Sequence, residues 1–312
     1  MSGGDRRARR AASERPAAET GSGEPASAAP GDARARFLAL DPYRVRREWA
    51  RYEGTAQRDL FRQLRVRFLL RYPGRTGGRL EVGPGPGRFT PFLGGTGGPK
   101  VLLDLSDRML ASAARRLPAG SEPPALFRGD GSKPPFRPGE FAVVVLFGNS
   151  LGFAGDRGPS LLASAAELVR PEGLLLLETV AGSGEHSAYL ARLPPGAVRR
   201  LIHAPVTGVL PRIQREGFIP EPDRSPERHG FRRWSETDLR PALEPAGFTL
   251  VESLSVAPLL GSFPGPLETV RRDPVAWSRL LELEEAVGRT VPRRRRASAL
   301  LSAWARFPTG PG

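Results

Sequence analysis

Cysteine is absent from the 312 residues, and that single absence removes disulfides, thiolate metal ligands and cysteine nucleophiles together. Lysine is nearly absent too: among the 47 basic residues only Lys100 and Lys133 are lysine, so arginine carries the formal charge of +14. The arginines are spread through nearly every segment of a chain that is also rich in glycine, proline and alanine. We therefore read the charge as a compositional habit rather than a phosphate-binding stripe, and nucleic acid is a possible but not a favoured partner. The one dense run, Arg293 to Arg296, reads as a solvated loop or as a phosphate contact. Histidine is scarce. His186, His203 and His229 stand far apart without metal-ligand spacing, and no metal site is expected. Long apolar runs are missing: stretches such as residues 143–147 and 174–177 fall far short of the ~20 residues a membrane span needs. With no signal-type apolar core near the N-terminus either, the expected location is the cytoplasm.

What is present has a regular rhythm. Residues 1–36 lack apolar periodicity and are expected to be a disordered tail. Residues 37–78 carry Trp49, Tyr52, Leu60, Phe61, Leu64, Phe68 and Leu69 at spacings of three, four and seven, the helical period, with Gly54 as a divider. Strands are expected at residues 79–82, 101–103, 125–128, 141–147 and 174–179. Helices between them are expected at residues 89–93, 107–117 and 161–169. Strands alternating with helices at this spacing predict a doubly wound, mainly parallel α/β sheet. Residues 181–234 interrupt the pattern with Pro- and Arg-rich sequence around two expected helices near 197–202 and 206–216. Residues 235–312 then resume it with a capping-box helix at Ser235 and Asp238, a strand from Gly247, a helix at 277–287 and a last apolar segment at 299–307, which fits a strand better than a helix.

The chemistry concentrates in Glu81-Val82-Gly83-Pro84-Gly85-Pro86-Gly87, between the first strand and the helix expected after it. Glycines allow a tight turn and close approach of a ligand to the backbone, and a following helix start would offer free N–H groups. In a glycine-rich chain the same residues also serve as loop punctuation. Asp104 ends the next strand, about 20 residues beyond Gly83, the spacing at which an acidic side chain meets a ribose in nucleotide-binding α/β folds. A helix cap is its plainer reading.

These residues resemble the class I S-adenosylmethionine (SAM)-dependent methyltransferases, particularly the methyltransferase-domain group acting on small molecules. The likeness runs from Glu81–Gly87 through LDLSDRML (Leu103 to Leu110), GDGSKPPF (Gly129 to Phe136) and LVRPEGLLLLE (Leu168 to Glu178), and resumes at residues 232–248. It implies a seven-stranded Rossmann-like sheet and SAM as cofactor. Gly83, Gly85 and Gly87 would pass under the methionine and ribose, Glu81 would organise the loop, and Asp104 would hold the ribose hydroxyls. Leu105 would flank the adenine, Asp130 would accept from its amino group, and Gly131 would lie near the ring. Gly148-Asn149-Ser150 resembles a turn of some small-molecule N-methyltransferases, which implies that Asn149 positions the substrate; shaping the turn is its alternative role. The family commonly has Phe-Asp where this chain has Phe141-Ala142.

The resemblance implies methyl transfer to a nitrogen or oxygen of a small molecule. The alternatives are an RNA or protein methyltransferase that uses the arginine surface, and a SAM-binding regulatory protein without turnover. Absence of cysteine removes the cytosine-C5 and radical SAM subclasses. A roof over the substrate is expected from the helices carrying Trp49 and Tyr52 and from the 181–234 insertion.

Overall fold

The computed structural model describes residues 45, 49, 54–72, 76–93, 98–180, 218–220, 230–259, 264–290 and 299–308. Both Val45 and Trp49 are helical. After Gly54, helix α1 (Ala56–Leu70) starts at Thr55, whose side chain accepts the Arg58 N–H. Its Leu60, Leu64 and Phe68 are all but inaccessible and lie four residues apart on one stripe. Burying each contributes about 1.5–3 kcal/mol, which is what docks the helix on the sheet.

The strands follow as β1 (Arg79–Val82), β2 (Lys100–Asp104), β3 (Ala125–Arg128), β4 (Phe141–Leu146), β5 (Val169–Thr179), β6 (Phe218–Pro220), β7 (Gly230–Arg232), β8 (Phe248–Ser255) and β9 (Leu300–Arg306). The helices after α1 are α2 (Asp107–Ala114), α3 (Ser150–Phe153), α4 (Gly158–Leu168), α5 (Glu236–Leu243), α6 (Pro264–Val270) and α7 (Pro274–Thr290). Seven strands form one sheet in the order β3-β2-β1-β4-β5-β9-β8. Pairing is parallel from β3 through β5, and β9 runs antiparallel to both β5 and β8. This is the expected mainly parallel, seven-stranded sheet.

Side chains alternate between the two faces with the strand period of two. Leu174 and Leu176 of β5 join a core with α1, α6 and α7, whereas Leu175 and Leu177 join one with α4 and α5. Strand β4, apolar throughout and buried at every position, can only be a central strand. Helix α5 begins with the expected capping box of Ser235 and Asp238.

Two local expectations need correction. The glycine loop does not open into an α-helix: it passes through turns to a single 3-10 turn, Thr90–Phe92. Pro84 and Pro86 lack an N–H, and the intervening glycines hold left-handed backbone angles, so α geometry cannot begin there. Strand β5 starts at Val169 rather than Leu174, and Val169 is not helical. Pro171 and Gly173 stop α4, and the pairing with β4 shifts register between Phe141 and Val143. The insertion helices near 197–202 and 206–216, Tyr52, the three histidines and Arg293–Arg296 lie outside the described residues. At the far end of that insertion β6 and β7 pair antiparallel.

Candidate functional site

In the sheet order, β1 lies between β2 and β4, so the chain's crossovers leave β1 in opposite directions. Open α/β sheets bind ligands in the crevice at such a switch point, beyond the carboxyl ends of the strands. A cavity lies there. Its walls come from the loops that follow β1 (Gly83, Gly85), β2 (Asp104, Leu105, Ser106), β3 (Asp130, Gly131) and β4 (Phe147, Gly148, Ser150). Met109, Phe153, Arg157 and Leu161 close the sides. Six of the expected binding residues, Gly83, Gly85, Asp104, Leu105, Asp130 and Gly131, thus meet around one space.

Within the loop the glycines do different jobs. Gly85 has φ +55° and nothing within 4 Å of where a Cβ would stand, so its open side belongs to the cavity. Gly87, at φ +85°, turns the other way: a Cβ there would collide with the backbone of Ala113 in α2. It is absent from the cavity lining, and its requirement is close helix packing. Below the loop, Glu81 is 1% exposed and accepts a 2.7 Å hydrogen bond from Thr90. Burial pushes its carboxyl up to about 7, against the Thr90 hydrogen bond and with help from the charge of Asp104.

The two aspartates are anchored by backbone donors. Asp104 accepts from the Gly85 N–H at 3.2 Å and the Ser106 N–H at 2.9 Å, so one carboxylate ties the β1 loop to the β2 loop. Asp130 accepts from the Ser132 N–H and hydroxyl at 2.9 and 2.8 Å, and from Arg157 at 2.6 Å. Burial works to raise its pKa, but the Ser132 hydrogen bonds and the Arg157 charge hold the carboxyl below its ordinary value.

The turn after β4 is fastened from two directions. Ser150 Oγ lies within hydrogen-bonding distance of the Gly83 and Phe147 carbonyls, at 3.0 and 2.8 Å. From below, Glu178 accepts the Gly148 N–H at 3.0 Å, while its other oxygen takes Arg65 Nε and Nη2 at 2.9 and 2.7 Å. Both partners are about 95% or more buried. Asn149 stands in the left-handed region at φ 63°, buried against Gly152, and its Oδ1 has no partner among the described residues. The cavity wall is formed by its neighbours Gly148 and Ser150 instead.

Sequence reasoning missed Arg65, Glu178, Ser150 and Arg157. Arg65 lies 113 positions from Glu178 and has no local signature. A glutamate ending an otherwise apolar strand was the available clue for Glu178. Trp49, expected as roof, instead lines a separate cleft on the far side of the glycine loop.

The comparisons agree with this architecture. A family model described as "Methyltransferase domain" matches residues 80–173, the stretch from β1 into β5 that carries all four cavity loops. No curated protein matches the chain in sequence. Among solved structures, magnesium protoporphyrin IX methyltransferase from Synechocystis PCC 6803 with bound S-adenosylhomocysteine (SAH) superposes with a TM-score of 0.54 at 14% identity, over 88% of this chain and 100% of that one. A methyltransferase from Haloferax volcanii, solved with a methyltransferase activator, gives 0.52 at 16% identity over 90% and 100%. A SAM-dependent methyltransferase from Methanosarcina mazei gives 0.50 at 14% identity over 77% and 97%. These likenesses concern the fold, and the domain match lies on the segment that builds the cavity. Residues 80–173 thus carry a methyltransferase domain, set in a fold shared with SAM-dependent methyltransferases.

Proposed function

We propose that the chain methylates a nitrogen or oxygen of a small molecule, with SAM held across the switch-point cavity. The observation that carries this reading is the convergence of Gly85, Asp104 and Asp130 on a concave space with the apolar sides Leu105, Met109, Phe153 and Leu161. A mostly apolar pocket with a few convergent polar groups suits a small organic ligand. The residues fit a nucleoside-bearing cofactor. Each aspartate oxygen retains acceptor capacity beyond its backbone bonds, so Asp104 takes ribose hydroxyls and Asp130 the adenine amino group. Because Arg157 already bonds Asp130 and is about half exposed, it must share that carboxylate or swing away.

SAM supplies an electrophilic methyl group on a sulfonium. The chain's own contribution is placement: Gly83 and Gly85 keep the loop flat beneath the ligand, while Gly131 and Leu105 bracket the base. Gly87 and Glu81 act from behind, through helix packing and through Thr90. Asn149 shapes the Gly148–Ser150 turn from behind the cavity wall, and Glu178 and Arg65 hold that turn in place. Holding the acceptor in line with the methyl carbon is itself a large part of the rate enhancement such a site provides.

Asp104→Ala should weaken SAH binding by about 1.5–3 kcal/mol, the scale of hydrogen bonds to a charged group; calorimetry on a folded variant with unchanged affinity would contradict the assignment. The substrate class is tested by incubating the protein with methyl-labelled SAM and a cell extract split into low-mass, RNA and protein fractions. Label in the low-mass fraction supports the proposal. Label confined to RNA or protein overturns it.

A further inference from the structure

The glycine loop has a second cleft at its back, and we propose that this cleft binds a compact polyanion, a small molecule carrying two or more phosphate or carboxylate groups. The inference does not depend on which substrate the front cavity accepts. Five arginines line the cleft, namely Arg62, Arg88, Arg115, Arg116 and Arg271, together with the indole of Trp49. Among the described residues of the lining the one carboxylate is Asp59, which is engaged by Arg62 at 2.7 Å and by Gln63 at 3.0 Å.

The cations do not come from one helix face. Arg62 belongs to α1, Arg88 to the turn after the glycine loop, Arg115 and Arg116 to the end of α2, and Arg271 to the end of α6. The C-terminal dipole of α2 favours Arg115 and Arg116 there, yet it says nothing about the other three. Two of the guanidiniums converge on one ring: Arg116 lies 3.2 Å and Arg88 4.4 Å from the Trp49 centroid. Arg116 donates to the Pro86 carbonyl at 3.1 Å, and Arg88 donates to the Trp49 carbonyl among its contacts. The Pro86 carbonyl directs Arg116 without neutralising it. A concave surface of one sign focuses its field and concentrates counter-ions, and forked arginine donors suit phosphate and carboxylate oxygens. The five arginines come from four separate segments and line one cleft of about 670 Å³, a placement that suits a compact anion better than a long strand.

The cleft also touches the cofactor loop. Arg88 lines both cavities, and Pro86, which Arg116 bonds, lies between the two glycines that face front and back. An anion that draws Arg88 and Arg116 together should steady the loop and tighten cofactor binding, and by linkage the cofactor should tighten the anion equally.

The probes are pyrophosphate and citrate, titrated calorimetrically into the full chain, with a single-stranded RNA oligonucleotide as the third arm. Expected are one site per chain for pyrophosphate or citrate and an altered Trp49 fluorescence that is lost in Trp49→Phe. SAH affinity should rise about fivefold when the site is filled. Arg115→Gln with Arg271→Gln should cut anion affinity at least tenfold while leaving SAH affinity without anion unchanged. Both residues are exposed and outside the front cavity, so folding should survive. No saturable anion binding, binding unaffected by the double variant, or strong RNA binding without small-anion binding would each overturn the proposal.

Discussion

The two cavities beside the glycine loop differ in electrical character. In front, Asp104 and Asp130 are matched by Arg88 and Arg157 around a largely apolar space; behind, the described lining holds five arginines, one aspartate and a tryptophan. Five residues of backbone, from Gly83 to Gly87, separate them. A loop of alternating glycine and proline leaves its backbone open, so Asp104 accepts from the Gly85 N–H while Arg116 donates to the Pro86 carbonyl. The front suits a cofactor that carries a sulfonium and an ammonium, and the back suits anions. Positive charge is thus balanced in front and in excess among the described residues behind, although in the sequence the arginines look evenly scattered.

The comparison breaks most severely where the front cavity is supported from beneath. Arg65→Ala strands the carboxylate of Glu178, which is 2% exposed, and the cost expected for splitting a buried pair is about 3–5 kcal/mol of stability. Urea unfolding measures it, and a loss below about 1 kcal/mol would mean that the pair does not hold the Gly148 turn. The ion pair described in the back cleft, Arg62 with Asp59, is far more exposed.

A pH experiment addresses the next largest effect. Since burial raises the Glu81 carboxyl to about 7, the native state binds more protons than the unfolded chain between the ordinary glutamate range and pH 7. Stability from this group is therefore greatest at low pH, falls as pH rises through that window, and stays low above it. The difference amounts to up to about 3 kcal/mol between pH 4.5 and pH 8. Comparing Glu81→Gln with wild type isolates this contribution from carboxylates such as Asp130 that shift the other way. The variant should gain relative stability as pH rises, and parallel pH profiles for the two proteins would contradict the assignment.

Smaller differences should separate the faces of the loop itself. Gly87→Ala presses on the Ala113 backbone and is expected to cost about 1–3 kcal/mol of stability for overpacking, in addition to about 1–2 kcal/mol of left-handed strain. Gly85→Ala meets no neighbour and should cost stability only its left-handed strain, about 1–2 kcal/mol. It should also lower SAH affinity about tenfold, since the added methyl enters the front cavity. Thermal unfolding and calorimetry on the pair reveal whether the loop is two-faced, and matching losses in both measurements would show that it is not.

How far the sequence disclosed this arrangement follows from the range of the interactions. The sheet was legible because its strands are short apolar runs bounded by glycine and proline, and FAVVVLF can hardly be anything but a central strand. Gly83, Gly85, Asp104 and Asp130 were legible because each sits at a strand end, where spacing along the chain maps onto position in space. Arg65 with Glu178 and the arginine cleft were not, since both depend on elements far apart in sequence being packed together. The glycine loop misled in one respect, for the expected helix start after it is a 3-10 turn, with prolines deciding against α geometry.

The most direct test of the central claim is a crystal structure of the chain with SAH. The account predicts ligand density in the front cavity, with the ribose on Asp104, the adenine amino group at Asp130 and the backbone of Gly85 beneath. Density elsewhere, or a ribose that leaves Asp104 bonded only to the Gly85 and Ser106 amides, would contradict it.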